Sequence, residues 1–407
     1  MVTDKILISL SVLIILSYLF NFVAKYIKIP SVILLLGTGV GLRLLAQKFS
    51  IQVPDVQILL GIFGEIGLIL IVLEGALELD VTRKKLPVIG KAILVSILII
   101  IGSCALIVLV LYQYKGIPLM NSIIYSIPLG VISSSIAIPS VRWLSEGKME
   151  FIIYESTISD IIGIMVFNFV IADEIITSNS FVQFFIQLIA IILISFASSA
   201  LLIFMLNKLS AHIKSFLIFA ILTLIYTFAK IFQLPSLLLI LVFGMMLNSS
   251  KYYIRGKLAN VLHLEKMSAV TAELKLLTAE SAFLVRTFFF ILFGYTMKVY
   301  ALFNTNIIIT GLAITVCILI ARFIFLFFVS RANVFPEIFI APRGLVTVVL
   351  FYNIPPRYLS PLFDNGILYF VIIATSLVMM FALIFTRTAY SETGNILSVK
   401  QTPSGAP

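Results

Sequence analysis

Long apolar runs separated by short polar connections recur from one end of the chain to the other. Each run approaches the roughly 20 residues that an α-helix needs to cross the hydrocarbon core of a bilayer. The pattern therefore predicts an all-α polytopic membrane protein with about 13 transmembrane helices. These helices are expected at residues 5–24, 30–46, 56–77, 88–112, 119–144, 151–172, 181–207, 213–231, 235–249, 279–299, 306–330, 335–353 and 366–386.

The composition supports this fold class. Of the 407 residues, 61% are hydrophobic and 11% are charged, and the mean hydropathy is +1.18. The first apolar run lacks both a basic leader and a small-residue cleavage site, so we expect it to persist as a helix in the mature protein. The polar stretch 387–407 is expected to be a disordered cytoplasmic tail.

The placement of lysine and arginine predicts the orientation of the chain. Basic residues are concentrated in connections that are cytoplasmic if the N-terminus lies outside, above all in Arg83-Lys84-Lys85 and in 249–278. The outer connection at Asp173-Glu174 is acidic. We therefore expect a multi-pass protein of the cell (inner) membrane with its C-terminus in the cytoplasm. The net charge of +10 follows from this topology, so no nucleic-acid partner is predicted.

Few side chains that bind metals or catalyse reactions fall within the apolar runs. Cys104 and Cys317 lie in separate runs, whereas His212 and His263 lie in polar connections. This spacing indicates neither a disulfide framework nor a metal site, and no cofactor is predicted. An intramembrane enzyme is disfavoured because no histidine is placed to act as a base and Asp160 has no second aspartate in a comparable setting.

The chain also contains an internal repeat. The segment from Lys28, KIPSVILLL, recurs from Gln233 as QLPSLLLIL. In the same order, Leu73-Glu74-Gly75 matches Leu292-Phe293-Gly294, and Ala137-Ile138-Pro139 matches Ile340-Ala341-Pro342. Six helices, one odd helix and six more place the halves in opposite orientation, which is typical of secondary transporters. We expect two inverted six-helix repeats.

Two discontinuous helices are predicted where the repeat places Pro139 and Pro342. Proline removes a backbone donor, so the freed carbonyls and amides must be satisfied by protein, water or an ion. The fifth run contains Ala137-Ile138-Pro139, and the twelfth contains Pro342-Arg343. In an inverted repeat, such helices cross near the middle of the bilayer. The serines at 133–135 belong either to an ion pathway or to back-bonding within their own helix.

Asp160 is the candidate for the central functional residue. It lies within the sixth apolar run, with Ser156 one turn before it, Ser159 beside it and Gly163 one turn after it. A carboxylate inside a membrane must pair, protonate or meet a cation, so it indicates function. Glu155 places a second carboxylate on a different face of the same helix.

These features resemble the cation:proton antiporter superfamily, and most closely its sodium/proton exchanger branch. The resemblance is carried by Glu155-Ser-Thr-Ile-Ser-Asp160, by Ala321-Arg322 and by Arg343-Gly344-Leu345-Val346. It covers almost the whole chain. Two motifs differ: Ser159 replaces the family's asparagine, and Ala137-Ile138-Pro139 replaces its Thr-Asp-Pro. The missing aspartate leaves the role of Arg343 open.

The resemblance implies exchange of a monovalent cation, most simply Na⁺, for H⁺, with Asp160 as the shared site. The Ser159 hydroxyl and broken-helix carbonyls would complete the coordination, and the candidate ligands therefore include Ser156, Ala137 and Ile138. Glu155 would pair with Arg322, and Glu74 with a structural partner such as Arg286. With one titrating carboxylate, exchange would be electroneutral. The alternatives are a K⁺/H⁺ antiporter, a potassium-efflux relative and a sodium-coupled organic-solute symporter.

The resemblance also divides the chain by role, in a protein expected to be a homodimer within the lipid bilayer. Scaffold or dimer helices would occupy 1–77 and 213–299, and core transport helices 88–172 and 306–386. Residues 181–207 would form the linker helix. The transported ions, Na⁺ (or K⁺ or Li⁺) and H⁺, are the only other partners expected.

Overall fold

The structure is a computed structural model that describes residues 11–399, apart from 21, 24–30, 50–55, 80–81, 142–143, 173–181, 183–185, 187–188, 202–213, 233, 235, 254–263 and 331–333. Several sequence features therefore lie wholly or partly outside the described residues. They are the ends of the first predicted span, much of the linker helix, the acidic connection at 173–174, both histidines, the repeat prolines at 30 and 235, and the last eight positions of the chain, 400–407.

The all-α fold class is confirmed. The helices of the described residues are α1 (Ser11–Phe20), α2 (Ser31–Lys48), α3 (Val56–Glu78), α4 (Leu86–Leu109, continued by a π-turn at Val110–Tyr114), α5 (Leu119–Gly130), α6 (Ser134–Val141), α7 (Glu146–Ala172), α8 (Ile189–Leu201), α9 (Lys214–Ile231), α10 (Ser236–Tyr253), α11 (Leu264–Thr296), α12 (Thr305–Ser330), α13 (Leu345–Tyr352) and α14 (Asn365–Val399). Short 3₁₀ turns lie at Val299–Phe303, Glu337–Phe339 and Pro356–Tyr358.

The apolar helices account for the predicted spans. Seven stretches of the described chain are long and apolar enough to cross a membrane, and one of them joins α5 to α6. The shorter apolar helices α1, α8, α9 and α10 coincide with further predicted spans. Helix α7 carries the charged side chains of the sixth span, and α13 follows the break in the twelfth. The apolar pattern thus located the helices correctly.

Two predictions about helix boundaries are wrong. Helix α14 continues to Val399, so residues 387–399 are helical where the sequence predicted a disordered tail. No proline interrupts this stretch before Pro403, so nothing in the backbone forces the helix to stop. The first helix break lies between α5 and α6, at 131–133, and not around Pro139, which is accommodated inside α6.

The break between α5 and α6 is fixed by hydrogen bonds from other segments. Val131 is extended, the Ile132 amide donates to Ser159 Oγ at 3.1 Å, and the Ser133 amide donates to the Pro342 carbonyl at 2.9 Å. These bonds satisfy amides that would otherwise be left unpaired in an apolar region. Their partners are distant in sequence, so a local proline could not mark the break.

The helices pack in two groups that meet through α3, α6, α7 and α13. In the first group α11 contacts α2, α3 and α9, while α10 packs against α3. In the second group α4 contacts α5, α7 and α12, α6 lies along α7, and α12 packs against α14. Large buried side chains fill the first group, among them Leu73, Leu77, Phe243, Phe289 and Phe293. The assignment of scaffold and transport roles to such groups stays a prediction.

Two helices of the first group begin at matching positions of the repeated sequence segments. Helices α2 and α10 each have 18 residues and begin directly after the repeat prolines. Helix α2 packs against α11, and α10 packs against α3. In the repeated sequence α2 matches α10 and α3 matches α11, so these two contacts correspond to each other. At both crossings a glycine permits the contact. A Cβ atom at Gly39 would lie 2.1 Å from the Ile291 carbonyl oxygen, and one at Gly244 would lie 2.5 Å from Ala76 Cβ.

Candidate functional site

Asp160 lies near the middle of α7 with its side chain 1% exposed. Its Oδ2 atom accepts hydrogen bonds from the Ser134 hydroxyl and, at 3.2 Å, from the Ser134 amide. Ser134 is the first residue of α6, so the carboxylate faces the amide end of that short helix. A negative charge is favourable there because the first amides of a helix have no partner within it.

The other carboxylate oxygen of Asp160, Oδ1, is buried and has no hydrogen-bond partner among the described residues. Buried polar atoms in folded proteins are nearly always paired. An unpaired carboxylate oxygen at this depth is therefore positioned to take a proton or a cation. The described residues contain no cluster of three or more His, Cys, Asp and Glu side chains that would hold a multivalent metal.

Ser159 and Pro342 join the two helix breaks to each other and to α7. Ser159 Oγ accepts from the Ile132 amide, and the Pro342 carbonyl accepts from the Ser133 amide. The second break, at 340–344, therefore crosses the first at hydrogen-bonding distance. Gly344 permits this approach, because a Cβ atom there would lie 2.6 Å from Ser133 Oγ. The crossing that the sequence predicted is present, although the first break is displaced from Pro139.

Arg343 is fully buried and its guanidinium is bound by backbone carbonyls. Nε donates to Leu129 at 2.7 Å, Nη2 to Gly130 at 3.0 Å and Nη1 to Ala341 at 2.7 Å. Leu129 and Gly130 form the carboxyl end of α5, where the helix dipole favours a positive charge. These bonds give Arg343 a role that requires no aspartate at position 138.

Glu155 and Arg322 form a bidentate ion pair between α7 and α12. Arg322 Nη1 donates to Glu155 Oε1 at 2.6 Å, and Nη2 donates to Oε2 at 2.9 Å. Arg322 Nε donates to the Glu337 carbonyl at 2.7 Å. Both side chains are essentially inaccessible, at 1% and 0% exposure. The structure thus brings together the two residues that the resemblance paired.

The remaining candidate residues have different hydrogen-bond partners. The Ser156 hydroxyl donates to the Ile152 carbonyl of its own helix at 2.7 Å. Ala137 and Ile138 lie inside α6, and the Ala137 amide donates to the Ser133 carbonyl. A ligand role for these three residues stays a prediction. Glu74 pairs with Arg286 at 2.8 Å, in the structural role expected from the sequence.

Two features near Asp160 were not identified from the sequence. Ser134 was one of three serines of undecided role, and it is the one that binds Asp160. The Ser133 and Ser135 hydroxyls bond to each other at 2.8 Å. Thr157, one turn before Asp160, was not predicted to have a role, yet its hydroxyl is buried without a partner among the described residues. Hydroxyl groups are common in membrane helices, so their positions in the sequence gave no distinguishing signal.

Comparisons with known proteins agree with this fold. The solved structures of similar fold include the sodium proton antiporter MjNhaP1 from Methanocaldococcus jannaschii at pH 8, with a TM-score of 0.70 and 18% identity over 95% of this chain and 99% of the other. A structure of the same antiporter from an electron-microscopy map gives a TM-score of 0.68 and 16% identity over 99% of both chains. No curated protein sequence matches the chain significantly.

The family-level comparison covers most of the chain. The model of the transmembrane sodium/hydrogen exchanger family matches residues 10–388. Family and fold are those of a multi-pass membrane transporter and not of an enzyme. Since the match takes in nearly the whole sequence, the chain belongs to the sodium/hydrogen exchanger family.

Proposed function

We propose that this protein exchanges Na⁺ for H⁺ by alternating access, with Asp160 binding each ion in turn. The observation that carries the proposal is the Asp160 side chain, which is buried at the crossing of the two helix breaks and has one oxygen without a partner in the described part of the chain. A charged carboxylate without a counter-charge is unfavourable in an apolar interior. Binding either a proton or a cation neutralises it, and the two ions therefore compete for one group.

The surrounding groups suit a small, hard cation. Those closest to Asp160 in the hydrogen-bond network are the hydroxyls of Ser134 and Ser159 and the backbone of the two breaks. Hard cations are bound by oxygen atoms, and hydroxyls and carbonyls supply them. An organic solute needs a roomy polar pocket with many orienting groups. The short hydrogen-bonded contacts between the breaks favour an inorganic ion over such a solute.

The test uses purified protein in proteoliposomes that contain a pH-sensitive dye. A Na⁺ gradient should drive proton movement in the wild type, whereas Asp160→Asn should abolish it while the protein remains folded. Asn keeps the shape of the side chain but cannot hold a proton and a cation alternately. Na⁺-driven proton movement that persists in Asp160→Asn would refute Asp160 as the shared site.

Asp364→Asn is a matched control. Asp364 Oδ1 accepts from the Gly366 amide at 2.7 Å in a connection before α14, and an asparagine oxygen retains that bond. Its exchange activity should equal that of the wild type. K⁺, Li⁺ and organic solutes serve as further substrates, and a response to K⁺ alone or to a solute would replace Na⁺/H⁺ exchange by one of the alternative functions.

The proposal includes an orientation and an assembly. The N-terminus lies outside and the C-terminus in the cytoplasm of the cell (inner) membrane, which is supported by the basic connection Arg83-Lys84-Lys85. A homodimer is supported by the family resemblance. Accessibility of single cysteines introduced at 83 and at 300 to an impermeant thiol reagent in intact cells would test the orientation, because these sites lie on opposite sides of the membrane in the proposed topology.

A further inference from the structure

Thr157 has an unusual environment for a buried threonine. It lies on α7 with 1% exposure, and its Oγ1 atom has no hydrogen-bond partner among the described residues. Threonines buried in a helix commonly donate to the carbonyl one turn earlier. Thr310 and Thr315 do so, to Asn306 at 2.7 Å and to Gly311 at 2.8 Å. Among the buried hydroxyls that lack a partner in the described chain, that of Thr157 is on the helix that carries Asp160.

The position of Thr157 relates its hydroxyl to the ion site. Positions 157 and 160 are three residues apart, so their side chains project from one side of α7 with Cβ atoms about 5–6 Å apart. A Cβ atom at Gly75 of α3 would lie 3.0 Å from Thr157 Oγ1 and 3.7 Å from Ile138 Cδ1. The hydroxyl therefore lies where α3, α6 and α7 meet, beside the helix whose amide end faces Asp160.

Two buried oxygens on one side of α7 thus lack a partner among the described residues, Thr157 Oγ1 and Asp160 Oδ1. Leaving either oxygen without a partner costs free energy. If Thr157 served packing alone, valine would fill the same volume without that cost. A cation between a carboxylate and a hydroxyl satisfies both oxygens at once, because hard cations take oxygen ligands.

We propose that the Thr157 hydroxyl is a ligand of the transported cation, together with Asp160 Oδ1, and that it sets the affinity for that cation. The inference rests on the proposed function and extends it to a residue for which the family resemblance implied no role. When Asp160 carries a proton, no cation is present for Thr157 to bind. Removing the Thr157 hydroxyl should therefore weaken binding of the cation and leave binding of the proton unchanged.

The test compares Thr157→Val with Thr157→Ser in the proteoliposome assay. Valine removes the hydroxyl and keeps the volume, so the Na⁺ concentration for half-maximal exchange should rise about tenfold, equivalent to about 1.4 kcal/mol. Serine keeps the hydroxyl and should stay within about twofold of the wild type. Thr310→Val, at a buried threonine whose hydroxyl is already paired, should leave the Na⁺ dependence unchanged.

A second measurement separates ligation from packing. Na⁺ that binds the folded protein should raise its melting temperature relative to choline, through mass action. This Na⁺-dependent rise should shrink in Thr157→Val and be retained in Thr157→Ser. Without Na⁺, Thr157→Val should melt no lower than the wild type, because it loses an unpaired buried hydroxyl. If Thr157→Val does not fold, Thr157→Ala takes its place in the comparison with serine.

The outcomes distinguish this inference from the function on which it rests. Wild-type Na⁺ dependence and wild-type Na⁺ stabilisation in Thr157→Val would overturn the inference alone, leaving Thr157 as a packing residue against Gly75. A wild-type protein with neither Na⁺-driven proton movement nor Na⁺ stabilisation would overturn the proposed function and the inference together.

Discussion

Each buried charge at the crossing is stabilised by a different kind of partner. Asp160 faces the amide end of α6, Arg343 binds the carbonyl end of α5, and Glu155 binds Arg322. The first two interactions use the two helix ends that face the break, the carbonyl end of α5 and the amide end of α6. The unpaired carbonyls and amides at these ends carry partial charges. The site therefore tolerates Ile138 where the resembling family has aspartate, because backbone carbonyls bind the arginine.

The Glu155–Arg322 pair should stabilise the protein as a unit. Neutralising one partner leaves the other charge buried and unpaired, which costs about 3–5 kcal/mol. Glu155→Gln and Arg322→Gln should each lower the melting temperature and the yield of folded protein. The double variant should recover part of this loss, since it leaves neither charge uncompensated. Thermal unfolding in detergent, measured for all four proteins, gives the coupling free energy.

The pair formed by Lys85 and Glu150 is a suitable control for that cycle. It joins the start of α4 to the start of α7 at 2.5 Å, with side chains 28% and 22% exposed. Glu150→Gln should cost less than about 1 kcal/mol, because partly exposed pairs are worth little. Strictly additive losses in the Glu155 and Arg322 double variant would show that the two charges do not stabilise each other.

The charged residues at the crossing could be identified from the sequence, whereas the partners of most of its hydroxyl residues could not. Asp160, Glu155 and Arg322 stand out because ionised groups are rare and costly within apolar runs. Ser134, Ser156 and Thr157 have similar sequence surroundings but different environments. Ser156 bonds to its own helix, Ser134 bonds to Asp160, and the Thr157 hydroxyl lacks a partner in the described chain.

At the level of elements, the two breaks determine the architecture of the site. Each break leaves backbone amides and carbonyls without partners in its own helix. One amide of the first break, that of Ser133, donates to one carbonyl of the second, that of Pro342. The existence of two broken helices followed from the matched prolines Pro139 and Pro342 of the repeat. The place of the first break depends on partners from α7 and from the other break, so local sequence around Pro139 could not locate it.

Gly344→Ala should separate the two breaks. The added methyl group would lie 2.6 Å from Ser133 Oγ and 2.7 Å from Ile136 Cδ1, too close for either contact. Overpacking of this kind costs about 1–3 kcal/mol. We expect a lower melting temperature together with slower Na⁺-driven proton movement, because the bond between the breaks lies beside Asp160. Thermal unfolding in detergent measures the melting temperature, and the proteoliposome assay measures the proton movement.

Gly90→Ala provides the matched control for the crossing. Gly90 lies in α4, where an added Cβ atom would meet no atom of the described residues within 4 Å. Alanine favours a helix over glycine by about 0.5–1 kcal/mol, so stability should be unchanged or slightly higher. Equal stability and equal exchange rates for Gly344→Ala and wild type would show that the breaks have room to move apart.

For the whole molecule, the long apolar runs were sufficient to predict most of the helices, whereas the contacts between them were not predicted from the sequence. Helices α2 and α10 share a length and a preceding proline, and they make corresponding contacts with α11 and α3. The extent of α14 was not predictable in this way, since a polar helix and a polar tail have similar compositions. The inverted orientation of the halves remains a prediction.

Transport by the whole protein should be electroneutral, one cation for one proton. Asp160 is neutral whether it holds H⁺ or Na⁺, so each crossing of the membrane moves the same net charge. The other buried carboxylate of α7, that of Glu155, is bound by Arg322 through both of its oxygens, which leaves Asp160 as the expected proton carrier. The membrane potential then acts equally on both loaded forms.

Potassium diffusion potentials clamped at several values in proteoliposomes would measure this stoichiometry. With no pH gradient and equal Na⁺ on both sides, an electroneutral exchanger should accumulate no Na⁺ at any potential, whereas a second proton per cation adds a charge that the potential drives. The force on that charge is about 2.3 kcal/mol per 100 mV, enough for a large gradient. Na⁺ accumulation that increases with the potential would require a second titrating residue. Glu74→Gln and Glu155→Gln, assayed at the same potentials, would then identify it, because loss of the second proton carrier should return the protein to electroneutral exchange.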